Sequence, residues 1–150
     1  MKMIISLKYL IFKMALPLTI IIMAVFTKSW LVLPVDDGNT VMSGFPFPFI
    51  ADGWHTSLSY QIFITEFLAD FFIQLLLWTL ILFLINKYLF IIKIPKFLNI
   101  IIWGLVIIIS GLAVSIASMP DQIIRLKRDW EIQAVLNSGY QFIWEEQSRQ

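Results

Sequence analysis

The chain has 150 residues, of which 59% are hydrophobic and 14% are charged, and its formal net charge is +1. Soluble domains carry about 25% charged residues. A soluble domain of this length could not bury so much apolar surface, because its surface-to-volume ratio is too high. The composition therefore predicts a membrane protein in contact with the lipid bilayer. The small net charge provides no basic field, so we expect no nucleic-acid partner.

The residue types present also limit the kinds of catalytic and metal site that the chain can form. The chain has no cysteine and a single histidine, His55, which excludes disulfides, thiolate metal sites and a cluster of histidine ligands. The sequence contains no nucleophile elbow, phosphate-binding glycine loop or zinc-protease helix. We therefore predict a non-enzyme with no catalytic, cofactor-binding or metal-binding residues. An enzyme site built from His55, Asp52 and Glu66 is the least supported alternative, because nothing supplies a nucleophile.

The first apolar stretch, about 9–30, predicts a transmembrane helix, because a bilayer core needs about 20 helical residues. Lys13 and Lys28 lie near its two ends, where their side chains can reach the headgroups. Pro17 should kink this helix. The basic start also resembles a cleaved signal peptide, but Lys13 interrupts the apolar run and no small-x-small cleavage site follows. An uncleaved anchor fits better.

Residues 31–60 predict an outer loop. Asp36-Asp37-Gly38-Asn39 is a turn signal. Prolines at 46 and 48 push Phe45 and Phe47 into extended conformations. The aromatic and proline content is typical either of a recognition surface or of anchoring at the membrane interface, and the pattern favours anchoring.

Two further apolar stretches, about 63–87 and 97–119, predict the second and third transmembrane helices, and the short basic segment between them predicts a hairpin. The tail, 120–150, mixes charges with apolar residues over 121–136, which predicts an amphipathic helix ending at 137–139. The expected fold is an all-α membrane protein. It is one domain with about three transmembrane helices, an extracytoplasmic loop and an amphipathic C-terminal tail.

The lysine distribution predicts the orientation. The side of the membrane that holds the N-terminus has six lysines and no acidic residue: Lys2, Lys8, Lys13, Lys87, Lys93 and Lys96. The other side has five basic residues, three of them just after the third span, together with acidic residues. By the positive-inside rule we expect a multi-pass protein of the cytoplasmic (inner) membrane, with the N-terminus cytoplasmic and the C-terminus extracytoplasmic.

A candidate polar face lies on the second helix, where Glu66, Asp70 and Gln74 follow one another at a spacing of four. A carboxylate within a membrane costs about 3 kcal/mol or more to insert and is a functional candidate for that reason. With His55, this face could form a proton or cation site. The alternative is that these acids mark the outer end of the helix, stabilised by its dipole or paired with Lys28.

A candidate helix-packing face lies on the third helix, where small residues form one stripe: Gly104, Gly111, Ser115 and Ser118. Such stripes let two helix backbones approach closely. The stripe predicts either packing within the chain or docking of another membrane protein or a second copy, and the sequence does not separate the two.

The segment Gly44-Phe45-Pro46-Phe47-Pro48-Phe49 resembles a Gly-Phe-Pro-Phe run that follows the first transmembrane helix in small bacterial membrane proteins of unassigned activity. The resemblance spans residues 9–86. It implies two or three helices around the segment, and it implies no activity.

Two functional hypotheses result. The first is a non-catalytic accessory or interaction subunit that docks through its helices or its outer loop. The alternative is a proton- or cation-coupled membrane component that uses Glu66 and Asp70.

Overall fold

The computed structural model describes residues 7–35, 38–53 and 59–142. It contains three long helices, α1 (Leu7–Val25), α2 (Ile64–Leu89) and α3 (Lys96–Ala117), each long and apolar enough to cross a membrane. It also contains a six-stranded sheet. The fold is therefore α+β, and the all-α prediction is wrong.

The strands are β1 (Phe26–Pro34), β2 (Thr40–Ser43), β3 (Ile50–Asp52), β4 (Tyr60–Phe63), β5 (Ile123–Arg125) and β6 (Ile132–Phe142). Their order across the sheet is β5-β4-β3-β2-β1-β6. Neighbouring strands are antiparallel except β4 and β5, which are parallel. The strands before α2 and those after α3 thus form one sheet.

The sheet replaces three predicted features. The first helix ends at Val25, and residues 26–30 of the expected span open β1. The expected loop at 31–60 supplies the rest of β1 and β2 to β4, and the expected tail helix is β5, a connection and β6. The predictions from apolar content were wrong here because that content does not distinguish a helix from a strand. Strand formation depends on β-branched and aromatic residues that pair with residues far along the chain.

The three helices are arranged around α1, which packs against both α2 and α3, whereas α2 and α3 contact each other little. The predicted hairpin of the second and third helices is therefore wrong. Their connection folds back instead, since the Ile92 N–H donates to Asn86 Oδ1 at 3.1 Å and the Ile94 N–H donates to the Tyr9 hydroxyl at 3.4 Å. A π-helical segment, Ile11–Ala15, directly precedes the turn that contains Pro17.

The sheet encloses its own core. Val32, Met42, Ala51 and Phe63 are buried together, and the Trp130 ring packs edge-on against Phe63 at 6.1 Å between centroids. The connection from β5 to β6, residues 126–131, must join opposite edges of the sheet, which in a flat sheet would lie about 24 Å apart. A fully extended connection reaches about 25 Å, and this one contains bends. The sheet must therefore curl around the core.

The sheet stands with one end towards the helices. β1 begins directly after α1, β4 ends directly before α2, and Phe142 of β6 pairs with Phe26 of β1. The loop between β2 and β3, residues 44–49, lies at the same end. The opposite end, where Pro34 pairs with Ile132, lies about 26 Å farther along β1. The strands thus extend away from the helix ends.

We expect Phe63→Ala to destabilise the sheet by about 3–5 kcal/mol, because it leaves a cavity in a closed apolar core. Phe97→Ala is the control, since Phe97 is 74% exposed. Thermal unfolding followed by near-UV circular dichroism in nanodiscs measures both. Equal melting temperatures for the two variants would show that the sheet core contributes little.

Candidate functional site

The loop of residues 44–49 is built against β1. Gly44 has a φ of +148°, and a Cβ there would clash with the Phe47 carbonyl oxygen, so this position requires glycine. The Gly44 N–H donates to the Lys28 carbonyl at 3.0 Å, and Trp30 Nε1 donates to the Gly44 carbonyl at 2.9 Å. These bonds join the loop to the strand that leaves α1.

Two residues of the candidate polar face hold the other side of this loop. Asp70 is fully buried, and its Oδ1 accepts the Phe47 N–H at 2.8 Å. One turn farther along α2, Gln74 Nε2 donates to the Phe45 carbonyl at 2.8 Å. The loop therefore covers this face of α2 and bonds to it through its own backbone.

Glu66 Oε2 and Asp70 Oδ2 are both buried and have no hydrogen-bond partner in the described part of the chain. The two residues differ in their neighbours. Glu66 lines an open cleft of about 300 Å³ with residues of the β5–β6 connection: Lys127, Arg128, Asp129, Trp130 and Glu131. The loop of residues 44–49 thus lies beside Asp70, and the β5–β6 connection lies beside Glu66. His55 lies outside the described residues.

The candidate packing face of α3 is open. Nothing lies within 4 Å of a Cβ placed on Gly104 or Gly111, and Ser115 and Ser118 are exposed. Their hydroxyls donate to the carbonyls of Gly111 at 2.8 Å and Val114 at 2.7 Å. Within the residues described, no other helix covers this face, and its hydroxyls are already satisfied by their own helix.

A cationic and aromatic cluster lies at the helix-proximal end of the sheet. Lys28 Nζ lies 3.7 Å from the Trp30 ring centroid and 5.7 Å from that of Tyr140. Phe26 stacks on Tyr140 with centroids 5.6 Å apart. Lys28 thus has aromatic partners rather than the carboxylate partners considered from the sequence. Sequence reasoning missed this cluster, because only the β1–β6 pairing brings Tyr140 to Lys28.

The metal-ligating groups are scattered. Among residues 7–35, 38–53 and 59–142, no group of three histidine, cysteine, aspartate or glutamate side chains is placed to hold a metal ion. The geometry instead shows an aspartate and a glutamine bound to backbone groups, which is an arrangement that holds a loop in place.

No protein-family model, curated protein or solved structure matches the chain. Its function must therefore be argued from the geometry.

We expect Asp70→Leu to release the loop from α2, because it leaves the Phe47 N–H without its acceptor, at a cost of about 1–3 kcal/mol. Hydrogen–deuterium exchange of residues 44–49 in nanodiscs should become several-fold faster. Asp70→Asn keeps an oxygen acceptor and should leave exchange near the original rate. Glu66→Gln is the matched control on the same helix and should have no effect. Unchanged exchange in Asp70→Leu would show that the carboxylate does not hold the loop.

Proposed function

We propose that the chain crosses the cytoplasmic (inner) membrane with its N-terminus in the cytoplasm and its sheet on the extracytoplasmic side. The support is the position of the lysines relative to the sheet. The end of the helical bundle opposite the sheet carries Lys8, Lys13, Lys87, Lys93 and Lys96. The sheet side carries four basic residues in the described part of the chain, one fewer: Lys28, Arg125, Lys127 and Arg128. The positive-inside rule then favours an outer sheet.

Single cysteines test this orientation without background, because the chain has none. Gln133→Cys places a thiol on exposed β6, and Lys93→Cys places one in the exposed connection between α2 and α3. A membrane-impermeant maleimide added to spheroplasts should label the first variant at once and the second only after lysis. The cysteine-free chain is the control. The reverse labelling pattern would mean that the sheet is cytoplasmic.

The same proposal explains why a polar face is tolerated on α2. The helix has 26 residues and is about 39 Å long, whereas the hydrocarbon core is about 30 Å thick. Its outer turns can therefore project beyond the hydrocarbon. The loop of residues 44–49 bonds to those turns at Asp70 and Gln74. These contacts favour a structural role for the two residues over the proton- or cation-coupled alternative.

We further propose that the protein is a non-catalytic accessory or interaction subunit whose α3 docks another membrane protein or a second copy. The observation that carries this is the open small-residue face of α3. Lipid tails gain little from a flat, small-residue surface, whereas a second helix can approach it closely and gain van der Waals contacts.

Gly111→Leu should block this docking, because leucine fills the space that a partner backbone needs. A photo-reactive residue at exposed Ile108, beside the face, reports the association as a crosslinked band in native membranes. Ala113→Leu is the matched control, since it adds the same bulk about 160° around the helix at another exposed position. The band should be lost in Gly111→Leu and kept in Ala113→Leu. An unchanged band in both variants would argue against docking through this face.

A further inference from the structure

The edge of β6 that faces away from β1 has no partner strand among the described residues. β1 pairs with the other edge of β6 along its length. β6 has 11 residues, none of them charged and none proline. Exposed edge strands are usually short or carry charges or proline, which prevent pairing with other chains. The opposite edge of the sheet follows that rule, because β5 has three residues, one of them Arg125.

The register between β6 and β1 is interrupted twice, at Gln133 and at Leu136. The part after Leu136, Asn137–Phe142, is regular and pairs with β1 without interruption. Within it, alternate residues direct their backbone groups away from β1. Val135 and Leu136, just beyond the far end of this regular part, are 49% and 50% exposed.

The lipid surface does not account for these two side chains. Leu136 lies six residues from Phe142, which pairs with the first residue after α1, so it stands about 20 Å beyond the helix-proximal end. An interfacial role fits Tyr140, which belongs to the aromatic cluster at that end. Lipid therefore does not cover these two side chains, whereas a protein segment lying along the edge would.

A second copy of the chain does not fit this edge. Two copies in one membrane share their orientation, so a two-fold axis relating them runs along the membrane normal. Because the strands extend away from the helix ends, the two β6 strands would run parallel. In a parallel pair of strands, a residue whose backbone N–H and C=O point at the partner strand lies opposite a residue whose backbone groups point away. A two-fold axis along the strands instead places identical residues opposite each other, with their backbone groups pointing at each other. N–H then meets N–H and C=O meets C=O, so no ladder forms.

We propose that the outer edge of β6, from Val135 to Gln141, binds an extended, uncharged segment of a different protein, which adds to the sheet as a seventh strand. Backbone bonds to β6 supply the affinity, and Val135 and Leu136 contact apolar side chains of the segment. Gly139 has nothing within 4 Å of its Cβ position, so the added backbone can approach closely there. The proposal rests on the interaction role proposed above but uses a surface separate from α3, so either can fail alone.

The test uses the full chain in nanodiscs and a phage-displayed library of nine-residue peptides, depleted first on empty nanodiscs. The selected peptides should lack charged residues. Leu136→Lys should weaken their binding at least tenfold, because a charge on the edge opposes strand addition. Ile124→Lys is the matched control, since Ile124 is 53% exposed on the other edge strand, and it should leave binding unchanged.

A scan of N-methylated peptides tests the ladder itself without altering the protein. Methylation at every second backbone nitrogen should abolish binding, and methylation at the intervening nitrogens should not, because alternate N–H groups point at β6. Three outcomes would overturn the proposal. The selection could yield no peptide, Ile124→Lys could weaken binding as much as Leu136→Lys does, or the methylation scan could lack this alternation. A disulfide between two copies of Ser138→Cys in membranes would also overturn it, because it would show that a second copy covers the edge.

Discussion

The antiparallel pairing of β1 with β6 is the constraint on which the rest of the structure depends. It joins the residues that leave the first helix to the last described strand, across more than a hundred residues of chain. Ordering so long a loop costs conformational entropy that local contacts do not offset. The compensation comes from the curled core. Buried Phe63, which precedes α2, packs there against partly buried Trp130, which follows α3.

This pairing also determines how the sheet sits on the helices. Because β1 continues directly from α1, the loop of residues 44–49 lies beside the N-terminal turns of α2. Asp70 and Gln74 then bond to backbone groups of that loop. A buried carboxylate is costly unless its oxygens accept hydrogen bonds. The Phe47 N–H donates to Oδ1, whereas Oδ2 has no partner in the described chain. The polar residues that most resemble an ion site thus hold the sheet against the helical bundle.

The two surfaces proposed as binding sites differ in chemistry. The face of α3 consists of small residues, and its serine hydroxyls donate to carbonyls of the same helix. This face therefore allows close packing but provides few free hydrogen-bonding groups. The edge of β6 offers backbone donors and acceptors beside two aliphatic side chains. The first surface suits a helix in lipid, where close packing drives association. The second suits an extended segment of a partner, because backbone hydrogen bonds drive the addition of a strand to a sheet.

The sequence by itself determined the three apolar stretches, the absence of cysteine chemistry and the polar spacing of Glu66, Asp70 and Gln74, because composition and helical periodicity are local properties. Only the tertiary structure decided that residues 26–34 and 132–142 are strands rather than helix, loop or tail. Their apolar content is compatible with each of these, and strand pairing is set by partners far along the chain. The tertiary structure also gave Glu66 and Asp70 different neighbours. The two residues lie one turn apart on the same helix face, but the loop of residues 44–49 covers Asp70 and the β5–β6 connection lies beside Glu66.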